Sequence, residues 1–230
     1  MADLGYIKSN LDSLLREIDG LSKKAGGKVT LVAVTKSGSD EEVGELCRLG
    51  ASDIGENRPS EIARRGALLK EKGFAPRLHE IGNLQRNKVK LIIESVALIH
   101  SLDSLALAEE ISKQAKKIGR TVPVLIEINS ACEEQKGGIF PDDAEEFYLK
   151  VRELPNITVQ GLMTMGPVCD DPEDIRPYFR LTKALFDRLN RTYGFDTGIL
   201  SMGMSDSYAV AIEEGATMVR VGRKLFNKYA

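Results

Sequence analysis

Apolar positions along this chain follow two rhythms. Short runs rich in Val and Ile, bounded by glycine or polar residues, predict buried strands at 30–35, 52–55, 77–81, 97–100, 122–129, 157–163, 199–202 and 217–221. Between them the spacing changes to three and four. Ala108, Ile111, Ala115 and Ile118 share one helical face, as do Ile175, Phe179, Thr182, Phe186, Leu189 and Tyr193. Ahead of the first strand, Ile7, Leu11, Leu14, Ile18 and Leu21 predict an extra N-terminal helix. Ser39 with Glu42 reads as a capping box, and Asp103 as the cap of the helix after it. Gly50 and Gly119 stand where helices end, and Pro59, Pro141 and Pro172 near where they begin.

Eight strands, each followed by a helical segment, are what a (β/α)8 TIM-type barrel requires. A typical barrel has about 250 residues, so 230 suffice for one and little more. A doubly wound open sheet has the same alternation and is the rival. With no linker or composition shift, residues 1–230 are expected to form a single domain. The polar, glycine-rich loop 130–138 is a candidate flexible lid.

Composition narrows the class. Hydrophobic residues make up 42% and charged residues 29%, as in ordinary globular chains. Trp is absent and aromatics are 6%, so aliphatic side chains must build the core. The net charge of −2, with no basic stripe, argues against nucleic acid. No apolar run approaches the roughly 20 residues that span a bilayer, so no membrane association is expected. The first ten residues carry an acid and no apolar core of a signal peptide. Cys47, Cys132 and Cys169 are odd in number and far apart, which fits a reducing compartment and neither disulfides nor a metal cluster. A cytoplasmic location follows as the expectation.

Active sites of parallel barrels form at the C-terminal ends of the strands, so the residues closing each strand are the candidates. Lys36 follows five largely apolar residues in LVAVTK, an expected dry mouth that would lower its pKa and suit it to bond an aldehyde. Its ordinary alternative is a solvated lysine. Glu56, Asn57 and Arg58 follow strand two; His79 lies inside strand three and reads first as a hydrogen-bonded core histidine. Gln85, Asn87 and Lys88 open the next helix, Asn129 ends strand five, and Lys136 tips the loop after it. Met163 and Met165 read as packing residues. The last two strands carry the sharpest signal. Ser201-Met202-Gly203-Met204-Ser205-Asp206 and Arg220-Val221-Gly222-Arg223 each lead into a helix, where barrels commonly bind phosphate. Ser205 as a plain helix N-cap is the alternative.

Together, LVAVTK, DIGEN, HEIGNLQRNK, IHSLDSLALAEEI, LIEIN, GLMTMGP and LSMGMSDSYAVAIEEGATMVRVG resemble the pyridoxal phosphate homeostasis protein family. That family is similar to the N-terminal barrel domain of alanine racemase. The resemblance covers nearly the whole chain in motif order and favours the barrel. It implies a Schiff base between Lys36 and pyridoxal 5′-phosphate. Asn57 would lie beside the cofactor ring, with Ser201, Ser205 and the Gly222 backbone around the phosphate. Arg220 would face the pyridine nitrogen, and His79 would lie near the pocket. Glu80, Arg223 and Asn227 depart from the family pattern without removing a group that holds the cofactor.

An arginine at the pyridine nitrogen stays charged and donates to it, which leaves the ring a weaker electron sink. Racemisation further needs an acid–base group on each face of the substrate carbon. In two-domain racemases the second is a tyrosine from another domain, for which this chain is too short. None of Tyr6, Tyr148, Tyr178, Tyr193, Tyr208 and Tyr229 closes a predicted strand. Of these, Tyr208 lies beside the phosphate loop. The expected role is therefore a non-catalytic one, buffering and delivering the cofactor inside the cell. A weakly active racemase-like enzyme and a cofactor-free phosphate-binding isomerase are the alternatives. Amino acids and apo-enzymes that receive the cofactor are the expected partners, and a monomer the expected state.

Overall fold

The computed structural model describes residues 4–228. In chain order it contains α1 (Gly5–Ala25), β1 (Thr30–Val34), α2 (Asp40–Arg48), β2 (Asp53–Glu56), α3 (Pro59–Glu71) and β3 (Arg77–Glu80). A 3₁₀ turn (Arg86–Lys88) leads into α4 (Val89–Ile92), then β4 (Val96–Leu102), α5 (Leu105–Lys117), β5 (Val122–Ile128), α6 (Ala144–Arg152) and β6 (Ile157–Thr164). A second 3₁₀ turn (Pro172–Ile175) precedes α7 (Arg176–Tyr193), β7 (Ile199–Ser201), α8 (Tyr208–Glu213), β8 (Met218–Val221) and α9 (Arg223–Phe226). All eight strands are parallel and the sheet closes, because β1 pairs with β2 on one side and with β8 on the other. That double pairing excludes the open sheet. Every expected strand is present within two residues.

Alternation along the strands sorts the core in two. Val32, Leu98, Leu125, Met163 and Met218 face the barrel lumen with Ile199 against them. The opposite rows, including Ala33, Ile54, Ile99, Ile126, Leu200 and Val219, pack beneath the helices. Both faces are covered, which is why the strands read as continuous apolar runs. Each fully buried aliphatic side chain contributes about 1.5–3 kcal/mol. Met163 packs as expected, but Met165, just past β6, is exposed.

The caps follow the sequence with one correction. Ser39 makes both bonds of the capping box of α2 with Glu42. Gly50 and Gly119 take positive φ just past α2 and α5, and Pro59 opens α3. The N-cap of α5, however, is Ser104 and not Asp103. The predicted N-terminal helix is α1, which buries Ile7, Leu11, Leu14 and Ile18. It packs against α2, α8 and α9. Because α9 is a single turn, α1 fills the place between α8 and α2 in the outer ring. Asn10 fastens it there, donating to the carbonyls of Leu225 at 3.2 Å and Asn227 at 2.8 Å. Among the described residues, the three cysteines are unpaired, no cluster of metal-ligating side chains occurs, and no helix is long and apolar enough to cross a membrane.

Candidate functional site

Three adjacent strands, β7, β8 and β1, bring most of the expected residues to one side of the barrel mouth. Strand β1 ends at Val34, and Lys36 lies two residues beyond, in a turn. Its side chain is exposed and makes no hydrogen bond or ion pair with the described residues. The expected desolvation is thus absent: the turn lifts the amine clear of the apolar strand. Gly222, at the end of β8, abuts β1 so closely that a Cβ there would lie 2.8 Å from the Val34 carbonyl oxygen. Its N–H points at Ser205 Oγ across 3.4 Å, the long end of hydrogen-bond range. Gly203 takes φ +91°, and a Cβ on it would meet Ala211 Cβ at 2.5 Å. The turn it makes lets its carbonyl accept from Arg220 N–H at 3.0 Å. Ser205 is not the N-cap of α8; Ser207 is. With α8 and α9 only six and four residues long, an anion here would be held by hydroxyl and backbone N–H groups.

A buried arginine fixes the Lys36 turn. Arg65 of α3, 4% exposed, donates to the carbonyls of Thr35 (3.2 Å), Gly38 (2.6 Å) and Ser39 (3.4 Å). It also pairs with Glu56 Oε1 at 3.0 Å and Asp40 at 2.8 Å. The Thr35 hydroxyl donates to Glu56 as well, at 2.5 Å. Burial raises the Glu56 pKa against these donors. The turn is therefore held on both sides of Lys36 while the lysine itself stays free.

Beneath the mouth, the lumen is polar along one seam. Arg220, 3% exposed, donates from one terminal nitrogen to Ser201 Oγ at 2.7 Å and from the other to the Thr164 carbonyl at 3.0 Å. Burial lowers its pKa to about 10, opposed by Glu127, so it stays charged at neutral pH. Ser201 is fully buried and also bonds His100 Nδ1 at 3.1 Å. It sits beside Arg220 rather than with Ser205 and Gly222. His79 lies deeper, both ring nitrogens engaged by Asp53 and His100, so its link to the mouth runs through other residues. Asn57 is exposed just past β2, its backbone against Gly82.

The opposite side of the mouth carries acids. Glu80, fully buried, accepts from Ser101 Oγ at 2.6 Å and Gly82 N–H at 3.0 Å, and burial pushes its pKa up to about 8. Burial and then Asp103 push Glu127 up to about 7, against Arg220. A cavity of about 230 Å³ is lined here by Gly82, Glu127, Asn129, Lys136 and Met165. A larger hollow of about 750 Å³ is an open groove beside Gln85, Asn87 and Lys113. Neither is lined by Lys36, Ser205, Arg220 or Gly222. Loop 130–138 is tied down rather than free: Asn129 Nδ2 donates to the carbonyls of Glu133 (2.8 Å) and Lys136 (3.3 Å). The Lys136 amine pairs with Glu133 at 2.6 Å.

Sequence reasoning missed Arg65, Asp53, His100 and Glu127. His79 and His100 are the chain's two histidines, and both fall on inward rows of adjacent strands, a signal that was readable. The tyrosine hydroxyls nearest in sequence to the site turn away from it. Tyr208 is buried and bonds Lys224 at 2.7 Å, and burial raises its pKa. Tyr6 donates to Glu42, and Tyr193 to Glu145 at 2.7 Å. Tyr229 lies outside the described residues.

The closed, all-parallel eight-stranded barrel is of the alanine racemase N-terminal type. A family model described as alanine racemase, N-terminal domain, matches residues 9–229. Within that fold the chain belongs to the pyridoxal phosphate homeostasis protein family. The family's member from Aquifex aeolicus is 42% identical over 221 residues, 95% of this chain and 96% of that protein. The Helicobacter pylori protein is 36% identical over 87% of this chain and 88% of its own length. The structure of PipY from Synechococcus elongatus with PLP bound superposes with a TM-score of 0.83 at 28% identity, over 96% of this chain and 100% of that one. A Clostridium difficile alanine racemase shares the fold, with a TM-score of 0.76 at 20% identity over 96% of this chain and 60% of that one.

Proposed function

We infer that this protein binds pyridoxal 5′-phosphate covalently on Lys36 and serves its homeostasis in the cell, holding the cofactor and handing it on rather than turning over substrate. The observation that carries this reading is the pairing of a free amine with an anion cradle. Lys36 has no partner among the described residues, while the turn around it is held by Arg65. On the adjacent strand, Gly222 packs flush against Val34 and turns its backbone N–H toward the Ser205 hydroxyl. These groups fit an aldehyde at one end of a ligand and a phosphate at the other. The Arg220 guanidinium supplies a charged donor for a ring nitrogen between them. When bound, the cofactor supplies a carbon electrophile that links to an amine as a Schiff base.

The same residues support retention over turnover. Arg220 stays charged and can only donate, so it favours an unprotonated ring nitrogen and a weak electron sink. The hydroxyls of Tyr6, Tyr193 and Tyr208 are committed elsewhere, which leaves no tyrosine of that set as a second proton-transfer group. PipY, 28% identical, was solved with PLP bound, and the relatives carry the homeostasis name.

Borohydride reduction of the cofactor-loaded protein followed by peptide mapping tests the assignment. A pyridoxyl group is expected on the peptide containing Lys36, and Lys36→Ala should lose the covalent chromophore. A label found only on Lys136 or Lys224 overturns it.

A further inference from the structure

The two histidines of this protein touch, and nothing in its proposed function uses them. His79 Nδ1 and His100 Nε2 are 2.9 Å apart, in rings that are 2% and 0% exposed. His79 Nε2 lies 2.9 Å from Asp53 Oδ1. His100 Nδ1 lies 3.1 Å from Ser201 Oγ, and Ser201 accepts from Arg220 at 2.7 Å. Five side chains from β2, β3, β4, β7 and β8 thus form one continuous chain of hydrogen bonds. Strands β4 and β7 are not neighbours, so the His100–Ser201 bond crosses the lumen.

With one proton on each ring, counting donors and acceptors gives every bond one direction. Arginine can only donate, and an ionised carboxylate can only accept. Burial of Asp53 is outweighed by hydrogen bonds from His79, Arg77 and Ser52, which hold its pKa at about 2. His79 Nε2 therefore carries a hydrogen. A neutral His79 then offers its Nδ1 lone pair, which His100 Nε2–H fills. A neutral His100 offers Nδ1 in turn, and the Ser201 hydroxyl fills that. Ser201 keeps a lone pair for Arg220. All four bonds point from Arg220 toward Asp53, with no donor facing a donor. A second proton on His79 would put N–H against N–H unless His100 changed tautomer and the Ser201 hydroxyl turned away. Burial, then His79 and Arg220, push the His100 pKa well below the usual imidazole range. The charged groups around the two rings are Asp53 from β2, Arg77 at the start of β3, Arg220 from β8 and, acting on Arg220, Glu127 from β5.

We propose that His100 is a positioning residue for Arg220. Neutral and protonated on Nε2, it accepts a hydrogen bond from the Ser201 hydroxyl on Nδ1, turns the serine lone pair to Arg220, and so fixes the guanidinium between Ser201 and the Thr164 carbonyl. The plane in which Arg220 presents its remaining N–H groups to the mouth is set from the floor of the barrel. The consequence for a bound ring rests on the reading that Arg220 faces the cofactor; the chain itself does not.

Nitrogen-15 correlation NMR of the cofactor-free protein reads the tautomers directly, because only two imidazoles contribute. At neutral pH His100 should carry a single proton, on Nε2, with His79 Nδ1 accepting from it. A doubly protonated ring, or His100 protonated on Nδ1, overturns the proposal. In the loaded protein, His100→Leu should shift the pH midpoint of the visible band by about one unit, the scale of one lost hydrogen bond. His100→Gln, whose amide offers a donor and an acceptor, should restore it. A visible band whose midpoint is unmoved in His100→Leu overturns the positioning role while leaving cofactor binding intact. Absence of any visible band in the unaltered protein would instead sink the cofactor reading, and the NMR result would still decide the chain. If His100→Leu does not fold, the tautomers of the unaltered protein remain decisive.

Discussion

Replacing Arg65 with methionine tests how the lysine-bearing turn is held. Methionine keeps the apolar stem and removes the guanidinium. Glu56, 1% exposed, then keeps only the Thr35 hydroxyl on Oε1, and its Oε2 has no partner to begin with. Breaking a buried pair by removing one partner costs about 3–5 kcal/mol, chiefly from the stranded charge. Against a total stability of about 5–15 kcal/mol that is a large fraction. For a chain of this size it corresponds to a fall in Tm of about 6–20 °C. Urea unfolding of the parent, Arg65→Met and the double variant Glu56→Gln/Arg65→Met gives the measurement. The double variant removes the stranded charge and should recover at least half of the loss. The pH sign is also fixed. With Arg65 gone, buried Glu56 holds its proton to higher pH than in the unfolded chain. The loss is therefore greatest above that raised folded pKa, and it shrinks as pH falls toward the unfolded value. A loss below about 1 kcal/mol, or a double variant no better than the single, would refute the stranded-charge argument.

Further expectations concern the two ends of the site and its turnover. Ser205→Ala should weaken pyridoxal phosphate binding by about 10–100-fold, one charge-assisted hydrogen bond; pyridoxal without phosphate, measured in the same titration, should bind far more weakly to the unaltered protein. Glu80 has a folded pKa near 8, above its unfolded value, so its contribution to stability is lost as pH rises through that range. Glu80→Gln should therefore flatten the decline in unfolding free energy between pH 5 and pH 8, and an unchanged slope would contradict the burial argument. Incubation with L-alanine in deuterated water should give little α-deuterium and almost no D-alanine. Racemisation at about 1–10³ per second would mark an enzyme instead.

The strands were legible because a doubly covered parallel strand is apolar on both faces and bounded by turn residues. That Lys36, Ser205 and Gly222 lie past strand ends at the mouth was legible for a related reason, whereas Arg220, inside β8, lies beneath it. What the sequence hid is contact across the lumen. Ser201 and His100 are 101 positions apart and bond through the barrel's interior, so no local spacing links them. Arg65 looked like one more helix charge, and only the fold turns it onto the carbonyls around Lys36. The expected dryness of Lys36 failed on two residues of turn, a distance below the precision of any strand boundary read from sequence.

The outer ring closes with the chain's earliest helix. Asn10 of α1 bonds the Leu225 carbonyl across 215 positions. At about 5–20 residues per second, a ribosome needs about 10–40 s to travel that distance. Through that interval α1, which buries Ile7, Leu11, Leu14 and Ile18, has α2 to pack against but lacks α8 and α9, which are still unmade. The barrel therefore seals last at the seam joining its first-made and last-made parts. A nascent chain stalled before β8 would present an uncovered apolar stripe to the chaperones around the ribosome.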